Sequence, residues 1–307
     1  MSASSRKAII AALIGNSLIA VTKFIASAMT GSSAMLSEGI HSVVDTGNQL
    51  LLLYGIKRSS RPADQRFPYG YGKELYFWSF VVAILIFAVG AGLSIYEGID
   101  HLIHPVHVAD HTVNYIVLGL AIVFEGYSLT IAMREFNHQR RDRSFLKAVT
   151  GGKDPTIFVV VFEDSAAMLG LLVALVGVTL GDITGNPYFD GAASVTIGLL
   201  LAATAAWLAY ETKGLLIGES ADPRVVEGIR RIAGEHEEVL HVNEVLTLHM
   251  GPEFILVTMS VDFRDDLAAG RIERAVCALD SAVKDAFPKV KKVYIEAEPC
   301  KVGPVRV

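Results

Sequence analysis

The sequence has little of what soluble, secreted or nucleic-acid-binding proteins rely on. Charged residues make up only 19% of its 307 residues, against 52% hydrophobic residues, and this balance excludes an ordinary soluble domain. Its two cysteines, Cys277 and Cys300, are too few for a disulfide framework and predict reduced thiols. A net charge of only -5 gives no reason to expect a nucleic-acid partner. The class that remains is a membrane protein with several spans.

Six stretches of the sequence are long and apolar enough to cross a hydrocarbon core of about 30 Å, which takes about 20 helical residues. They cover residues 8–29, 34–56, 77–101, 113–133, 157–180 and 189–215. Asn16 and Lys23 interrupt the first stretch and no small-residue cleavage site follows it, so it does not resemble a cleavable signal peptide. We therefore predict a six-helix transmembrane domain over residues 1–215.

Lysine and arginine are absent from the loops after the first, third and fifth predicted spans, which read TGSS, HPVHVADHTVN and GDITGNPY. They are concentrated instead before the first span and in the loops after the second and fourth spans. By the positive-inside rule, both termini are therefore expected on the cytoplasmic side of the membrane. The predicted location is the inner (plasma) membrane of a bacterium.

After about residue 218 the composition changes, because charged residues recur every few positions up to the end of the sequence. We predict a cytoplasmic domain over residues 216–307. Its first helix is expected to begin at Asp222-Pro223, followed by strands over 239–250 and 253–263, a second helix over 271–287 and a last strand over 291–297. The order αββαβ predicts a small α+β, ferredoxin-like sheet with its helices on one face.

The second predicted span carries polar side chains that are unfavourable in lipid. Glu38, His41 and Asp45 recur at intervals of three and four residues and Asn48 continues the series, so all project from one helical face. An ionisable group at the bilayer centre costs on the order of 2.5–3.5 kcal/mol and usually has a role. His41 and Asp45 are close enough to share one ion, and their donor atoms favour zinc, cobalt, iron or manganese. The alternatives are a wet vestibule for Glu38 and hydrogen bonds between helices for the others.

A four-coordinate metal site needs more than two side chains, and the other predicted spans supply candidates. Glu163 and Asp164 of the fifth span point about 100° apart on a helix, so they are not expected to bind one ion together. Two roles stay open for Glu163, a role in the metal site and that of a buried partner of Lys23 or Asn16. Three roles stay open for Glu125 of the fourth span, namely a further ligand, a proton carrier or the partner of Lys23.

Four segments of the chain carry a resemblance to a known family. They are SAMLSEGIHSVVD in the second span, RFPYGYGKE in the next loop, the acidic fifth span, and IEAEPC near the end. Together they resemble the cation diffusion facilitator family of proton-coupled exporters of zinc and other divalent metals. The resemblance implies a homodimer of six-helix transmembrane domains with cytoplasmic domains of metallochaperone type. It also implies a tetrahedral transport site between the second and fifth spans.

The family's pattern of ligands matches three positions of this chain. Its second-span pattern of Asp or His, three residues and then Asp matches His41 and Asp45, and the end of its fifth-span pattern matches Asp164. The remaining ligand position holds Val160, which cannot bind metal. The sequence EDSAA, which begins at Glu163, resembles that of a subgroup of the family. The candidates for the missing ligand are water, Asn48, Glu125 and Glu163. This more oxygen-rich set leaves manganese, iron and cobalt open beside zinc.

The C-terminal domain departs further from the zinc exporters of the family. The strand positions that correspond to their regulatory metal ligands hold Asn243 and Thr258 in this sequence. The nearest candidate ligands are His249, Glu296 and Glu298. We expect this domain to serve dimerisation rather than metal binding.

The polar spans and the resemblance together predict a secondary active transporter that exports a divalent transition-metal cation by alternating access. No catalytic residue and no permanently bound cofactor are expected, since the metal is the substrate and protons are the counter-ion. His41 is expected to exchange protons as well as bind metal, because imidazole titrates nearest neutral pH. The rivals are a membrane-embedded metalloenzyme, which the single intramembrane histidine disfavours, and a metal-sensing scaffold, which would not need intramembrane carboxylates.

Overall fold

The computed structural model describes residues 3–105, 112–140 and 155–299 of the chain, so Cys300 lies outside the described residues. The described residues before residue 218 are mainly helical. Its elements are α1 (Ala3–Thr30), α2 (Ser33–Ser59), α3 (Glu74–Leu85), a π-helical segment (Ile86–Ala91), α4 (Gly92–Ile103), α5 (Thr112–Arg140), α6 (Pro155–Thr184) and α7 (Tyr188–Ile217). Each of the six predicted stretches falls within this helical series, the third of them across α3, the π-helical segment and α4.

Among the described residues, four helical segments are long and apolar enough to cross a membrane. They are Glu74–Ile103, Thr112–Asn137, Phe158–Thr184 and Tyr188–Ile217. The helices α1 and α2 have 28 and 27 residues, which is sufficient length for a span. They do not belong to that set of four, and in α2 the recurrent polar residues reduce the apolar character. Six spans therefore stay a prediction.

The chain divides into two compact units. The first comprises Met1–Lys57 and Phe77–Lys213, and the second comprises Arg58–Tyr76 and Gly214–Val307. The loop between α2 and α3 therefore belongs to the same unit as the C-terminal domain.

Small residues line the contacts of α7 with α4 and α2 in the first unit. A side chain at Gly98 of α4 would place its Cβ only 2.6 Å from the backbone nitrogen of Val195 on α7. The hydroxyls of Ser37 on α2 and Ser194 on α7 share a hydrogen bond. Ser194 also donates to the Ser94 carbonyl oxygen of α4 at 2.9 Å. Small and hydroxyl-bearing residues allow the close approach and polar contact that helices use inside membranes.

The C-terminal domain has the predicted αββαβ order. Its elements are α8 (Pro223–Gly234), β1 (Val239–Gly251), β2 (Phe254–Phe263), α9 (Ala269–Ala286) and β3 (Val290–Ala297). The strands are ordered β1-β2-β3, with an antiparallel β1/β2 pair and a parallel β2/β3 pair. Alternate residues Val257, Met259 and Val261 of β2 join one core with Ile229 of α8 and Leu279 of α9, as the two-residue period of a strand predicts.

The loop between α2 and α3 is held in place by its own hydrogen bonds and by the β1–β2 turn. The Tyr71 hydroxyl donates to Asp64 at 2.6 Å, and this hydrogen bond holds the pKa of Asp64 below its usual range. The backbone of Gly72 packs so closely on the Met250 carbonyl oxygen that no side chain would fit there. A glycine is therefore required where the loop meets the sheet.

Candidate metal centre in the helical unit

The polar series on α2 is buried among helices. The exposed fraction is 0% for Glu38, 1% for His41, 7% for Asp45 and 0% for Asn48. On the same helix the apolar side chain of Leu50 is 50% exposed. The helix α2 therefore has a buried polar face and an exposed apolar face, which is the arrangement expected where water is excluded from the outer surface.

Several polar atoms of this α2 series have no hydrogen-bond partner within the described part of the chain. They are Glu38 Oε1, both ring nitrogens of His41, Asp45 Oδ1 and Asn48 Oδ1. His41 Nδ1 and Asp45 Oδ1 lie 3.4 Å apart without forming a hydrogen bond. Buried polar atoms are nearly always paired, and each unpaired one costs about 1–3 kcal/mol. A cation bound by these atoms would remove that penalty, so the series has the chemistry of an ion site.

Glu163 and Asp164 of α6 point toward different helices, as their adjacent positions require. The side-chain amide of Asn48 on α2 donates to Glu163 Oε1 at 2.5 Å. The hydroxyl of Ser128 on α5 donates to Asp164 Oδ2 at 2.9 Å. The two carboxyl groups of α6 therefore face α2 on one side and α5 on the other. Ser128 was not among the residues predicted from sequence, because a serine in an apolar helix gives no signal of its partner.

Asp45 is surrounded by other acidic side chains. It lies within electrostatic range of Glu125, Glu163 and Asp164, which are all buried. Carboxylates gathered in a low-dielectric interior repel one another unless protons or a cation balance their charge. Among the described residues, no three His, Cys, Asp or Glu side chains are close enough to hold a metal ion together as they stand. Metal binding by His41, Asp45 and Asp164 would therefore require these side chains to move closer.

Lys23 of α1 pairs with the α2 series rather than with the acidic groups of α5 and α6. Its Nζ donates to Glu38 Oε2 at 3.0 Å and to Ser42 Oγ at 2.8 Å. The sequence had left Glu163 and Glu125 as its candidate partners. Glu125 lies only within electrostatic range of Lys23. The pairing depends on the rotation of α1 about its axis, which residue spacing within one helix does not determine.

A second polar cluster lies at the N-terminal end of α2, and both oxygens of its carboxylate are hydrogen-bonded. Asp190 of α7 accepts hydrogen bonds from the Ser33 backbone N–H at 2.6 Å, from the Ser33 hydroxyl at 2.7 Å and from the Ser32 hydroxyl. His101 Nδ1 of α4 lies 3.5 Å from the same carboxylate. A carboxylate at the first N–H groups of a helix stabilises its positive end. Asp190 thus caps α2.

The candidate ligands of the C-terminal domain make contacts within the protein. A ring nitrogen of His249, which is buried, lies 3.3 Å from a backbone carbonyl oxygen. The Glu298 carboxylate accepts from Ser260 at 2.9 Å, and Asn243 donates to Ser260 Oγ at 3.1 Å and to the Glu298 carbonyl oxygen at 3.0 Å. Glu296 is exposed on β3. These described side chains form no group of three ligands.

Known proteins are similar to this chain over most of its length. A family model for the cation efflux transmembrane domain matches residues 9–217. The mitochondrial proton-coupled zinc antiporter SLC30A9 of Xenopus laevis is 37% identical over 259 residues, which are 84% of this chain and 46% of that protein. Metal tolerance protein C4 of Arabidopsis thaliana is 29% identical over 265 residues, 86% of this chain and 58% of that protein. The manganese efflux system protein MneP of Bacillus subtilis is 22% identical over 302 residues, 96% of both chains. This chain therefore spans less than half the length of the SLC30A9 relative.

Proposed function

The chain belongs to the cation diffusion facilitator family, and we propose that it exports a divalent transition-metal cation across a membrane in exchange for protons. Membership of this family indicates a transporter and not an enzyme. The observation that carries the proposal is the set of unpaired buried donor atoms at His41 and Asp45. A site that must bind an ion, release it and return empty is expected to leave ligand atoms without permanent partners.

The proposed ligands are His41, Asp45 and Asp164. His41 and Asp45 already face each other across one turn of α2 at 3.4 Å, and Asp164 lies within electrostatic range of Asp45. An imidazole nitrogen with two carboxylates suits a divalent transition metal, and the two negative charges offset the loss of the ion's water shell. Asp164 is held by Ser128, so this hydrogen bond would orient it as supporting groups orient ligands in metal sites.

The fourth ligand is expected to be water or Glu163. Val160 occupies the position where the family pattern has a ligand, one turn before Asp164 on α6, and it offers no donor atom. Glu163 is hydrogen-bonded to Asn48, which holds it toward α2, the helix that carries His41 and Asp45. A rotation of its side chain would exchange this hydrogen bond for a metal bond.

Proton exchange follows from the chemistry of the ligands. Imidazole and carboxyl groups must be deprotonated to bind metal, so metal binding releases protons and protonation releases metal. The proposed cycle is alternating access, in which the site takes up metal on one side of the membrane and protons on the other. Glu125, which is buried near Lys23, is the candidate for carrying a further proton.

Zinc is the first candidate for the transported metal, and manganese is the second. The SLC30A9 relative is named a zinc antiporter and the MneP relative a manganese efflux protein. The ligand set, with its single imidazole, is compatible with both ions as well as with iron and cobalt. A direct comparison of metals is therefore part of any test.

We expect the transporter to work as a homodimer in a bacterial plasma membrane, with both termini and the C-terminal domain in the cytoplasm. The support for this orientation is the distribution of lysine and arginine among the loops. The C-terminal domain is proposed to contribute to dimerisation. Its candidate ligands already contact other protein groups, so a role in metal binding is not needed to explain them.

The rival function is that of a metal-sensing membrane scaffold, and metal-driven proton flux distinguishes the two. Purified protein would be reconstituted into vesicles that contain a pH-sensitive dye, and zinc or manganese would be added outside. The proposal expects metal-dependent proton flux in the wild type and background flux in Asp45→Ala and Asp164→Ala. Wild-type flux in either variant would overturn the assignment of that residue. Absence of flux in the wild type with every metal would overturn export itself.

A matched control is available on α2. Val43 lies two residues before Asp45, and its side chain is 51% exposed on the apolar face of the helix. The Val43→Ala variant should therefore retain the metal-dependent flux of the wild type. A loss of flux in this control would mean that any substitution on α2 disturbs transport, and the result for Asp45 would then carry no weight.

A further inference from the structure

The pair formed by Lys23 and Glu38 is an ion pair without solvent contact. Both side chains are 0% exposed, and Lys23 Nζ lies 3.0 Å from Glu38 Oε2. The ammonium group also donates to Ser42 Oγ at 2.8 Å. Glu38 and Ser42 are four residues apart on α2, and His41 lies between them in sequence. The positive charge of Lys23 is thus fixed beside the turn of α2 that carries the proposed metal ligand His41.

Stability alone does not account for this pair. Desolvation of two charges offsets much of their attraction, so apolar residues of similar volume often serve as well or better. The pair is also incomplete, because Glu38 Oε1 is buried and has no hydrogen-bond partner among the described residues. An ionisable pair inside a membrane domain is therefore better explained by an effect on the ion that passes through it.

The unpaired oxygen of Glu38 has a defined environment. A Cβ atom at Gly170 of α6 would lie only 2.5 Å from Glu38 Oε1, so the absence of a side chain there makes room for the carboxylate. Glu38 is thus placed between α1 and α6, the helix that also carries Asp164. On the α2 face it is the next residue after His41 toward the N-terminal end of the helix.

We propose that Lys23 and Glu38 set the affinity of the transport site for its divalent cation, Lys23 by repelling the ion and Glu38 by cancelling part of that repulsion. The inference rests on the proposed function, since it assumes a cation at His41 and Asp45. Repulsion by a fixed ammonium group favours release of the metal, which an exporter needs as much as binding. Glu38 keeps the repulsion small enough for the ion to enter. Lys23 and Glu38 thus act on the ion through their charges and are not metal ligands.

The test is the dissociation constant for zinc, measured by equilibrium dialysis on the purified full-length protein at one pH and one salt concentration. Lys23→Met removes the repulsive charge and should lower the dissociation constant about tenfold, and Glu38→Gln leaves that charge uncompensated and should raise it about tenfold. The double variant Lys23→Met/Glu38→Gln should return to within about threefold of the wild type, because the two charges act on the same ion. Shifts in the same direction in the two single variants would show a merely structural pair and overturn the inference.

The control is Ser42→Ala, which removes a neutral hydrogen-bond partner of Lys23 and leaves both charges in place. It should change the dissociation constant by less than about threefold. If Lys23→Met does not fold, the remaining comparison still decides, because the double variant must recover the affinity that Glu38→Gln loses. Failure of that recovery would also overturn the inference.

The same binding experiment separates this inference from the proposed function. If the wild type binds no zinc or manganese, or if Asp45→Asn binds as tightly as the wild type, the proposed function has failed at its site. If Asp45→Asn loses binding while Lys23→Met and Glu38→Gln leave it unchanged, only the inference about the charge pair is overturned.

Discussion

Two buried aspartates meet at α2, and they differ in how their oxygen atoms are hydrogen-bonded. Asp45 belongs to this helix, and Asp190 of α7 contacts its N-terminal end. Asp190 accepts hydrogen bonds from Ser32 and Ser33 on both of its carboxylate oxygens, at the N-terminal end of the helix. Asp45 lies near the middle of the helix, and its Oδ1 has no partner among the described residues. Both residues are 7% exposed, so burial alone does not distinguish a structural carboxylate from a binding one.

This difference in hydrogen bonding distinguishes the role of Asp190, at the N-terminal end of α2, from the role of Asp45, near the middle of the helix. A carboxylate whose acceptor positions are filled by the protein is part of the fold, and its removal leaves donors unpaired. A carboxylate with one unpaired oxygen, beside an imidazole whose ring nitrogens have no hydrogen-bond partner among the described residues, is destabilising until something binds to that oxygen. We therefore expect substitutions at the two aspartates to have opposite effects on stability and on transport, and the following experiments test this in order of expected effect.

The largest effect is expected for Asp45→Asn. Removal of a group that supports a metal ligand costs about 10- to 100-fold in activity. Loss of the ligand charge itself should reduce metal-dependent proton flux by more than that. The thermal unfolding midpoint should not fall, because a neutral amide is less costly to bury than a carboxylate with an unpaired oxygen. Flux in reconstituted vesicles and unfolding in detergent are the two measurements. A lower unfolding midpoint together with normal flux would show that Asp45 has a structural role and does not bind the ion.

The opposite pattern is expected for Asp190→Ala. The substitution leaves the Ser33 N–H and the hydroxyls of Ser32 and Ser33 without their acceptor and should destabilise the protein by about 2–3 kcal/mol. It would be detected as a lower unfolding midpoint. Flux per folded molecule should stay near the wild-type value, and complete loss of flux in folded Asp190→Ala would place this end of α2 in the transport machinery.

A smaller effect on binding is expected for Ser128→Ala. Its hydroxyl donates to Asp164, so its loss should free that carboxylate and weaken zinc binding about tenfold. Thr130→Ala is the matched control on the same helix, because the Thr130 hydroxyl donates to the Gly126 carbonyl oxygen of its own backbone. Equal dissociation constants for the two variants would show that the hydrogen bond to Asp164 has no influence on the site.

The smallest effect on transport is expected in the C-terminal domain. Asn243 donates to Ser260 and to the backbone of Glu298, so Asn243→Ala should lower the free energy of unfolding by about 1 kcal/mol. Metal-dependent flux should be unchanged. A large loss of flux would indicate that this cluster, despite its internal hydrogen bonds, acts on the transport site.

The polar face of α2 could be predicted from sequence because it depends only on the helical period. Glu38, His41, Asp45 and Asn48 recur at spacings of three and four residues, and one helix with 3.6 residues per turn places them together. The αββαβ order of the C-terminal domain was likewise predicted, since alternation and helical spacing are local signals. The predicted strand over 253–263 and the observed β2, Phe254–Phe263, differ by one residue at its start.

Contacts between helices could not be predicted in the same way. The partner of Lys23 depends on how α1 is rotated against α2, and the structure selects Glu38 over Glu163 and Glu125. The partners of Asp190, Ser32 and Ser33, likewise lie at the start of another helix. Rotation and axial shift between helices are set by the whole bundle, and the residue spacing within one helix carries little information about them.

Direct zinc binding is the simplest test of whether the unpaired atoms of His41 and Asp45 bind the transported ion. Equilibrium dialysis of the purified wild-type protein and of Asp45→Asn at the same pH would measure both affinity and the number of ions bound. We expect saturable zinc binding to the wild type and its loss in Asp45→Asn, while Val43→Ala binds zinc as the wild type does. Equal binding by the wild type and Asp45→Asn would show that Asp45 is not a ligand of the ion.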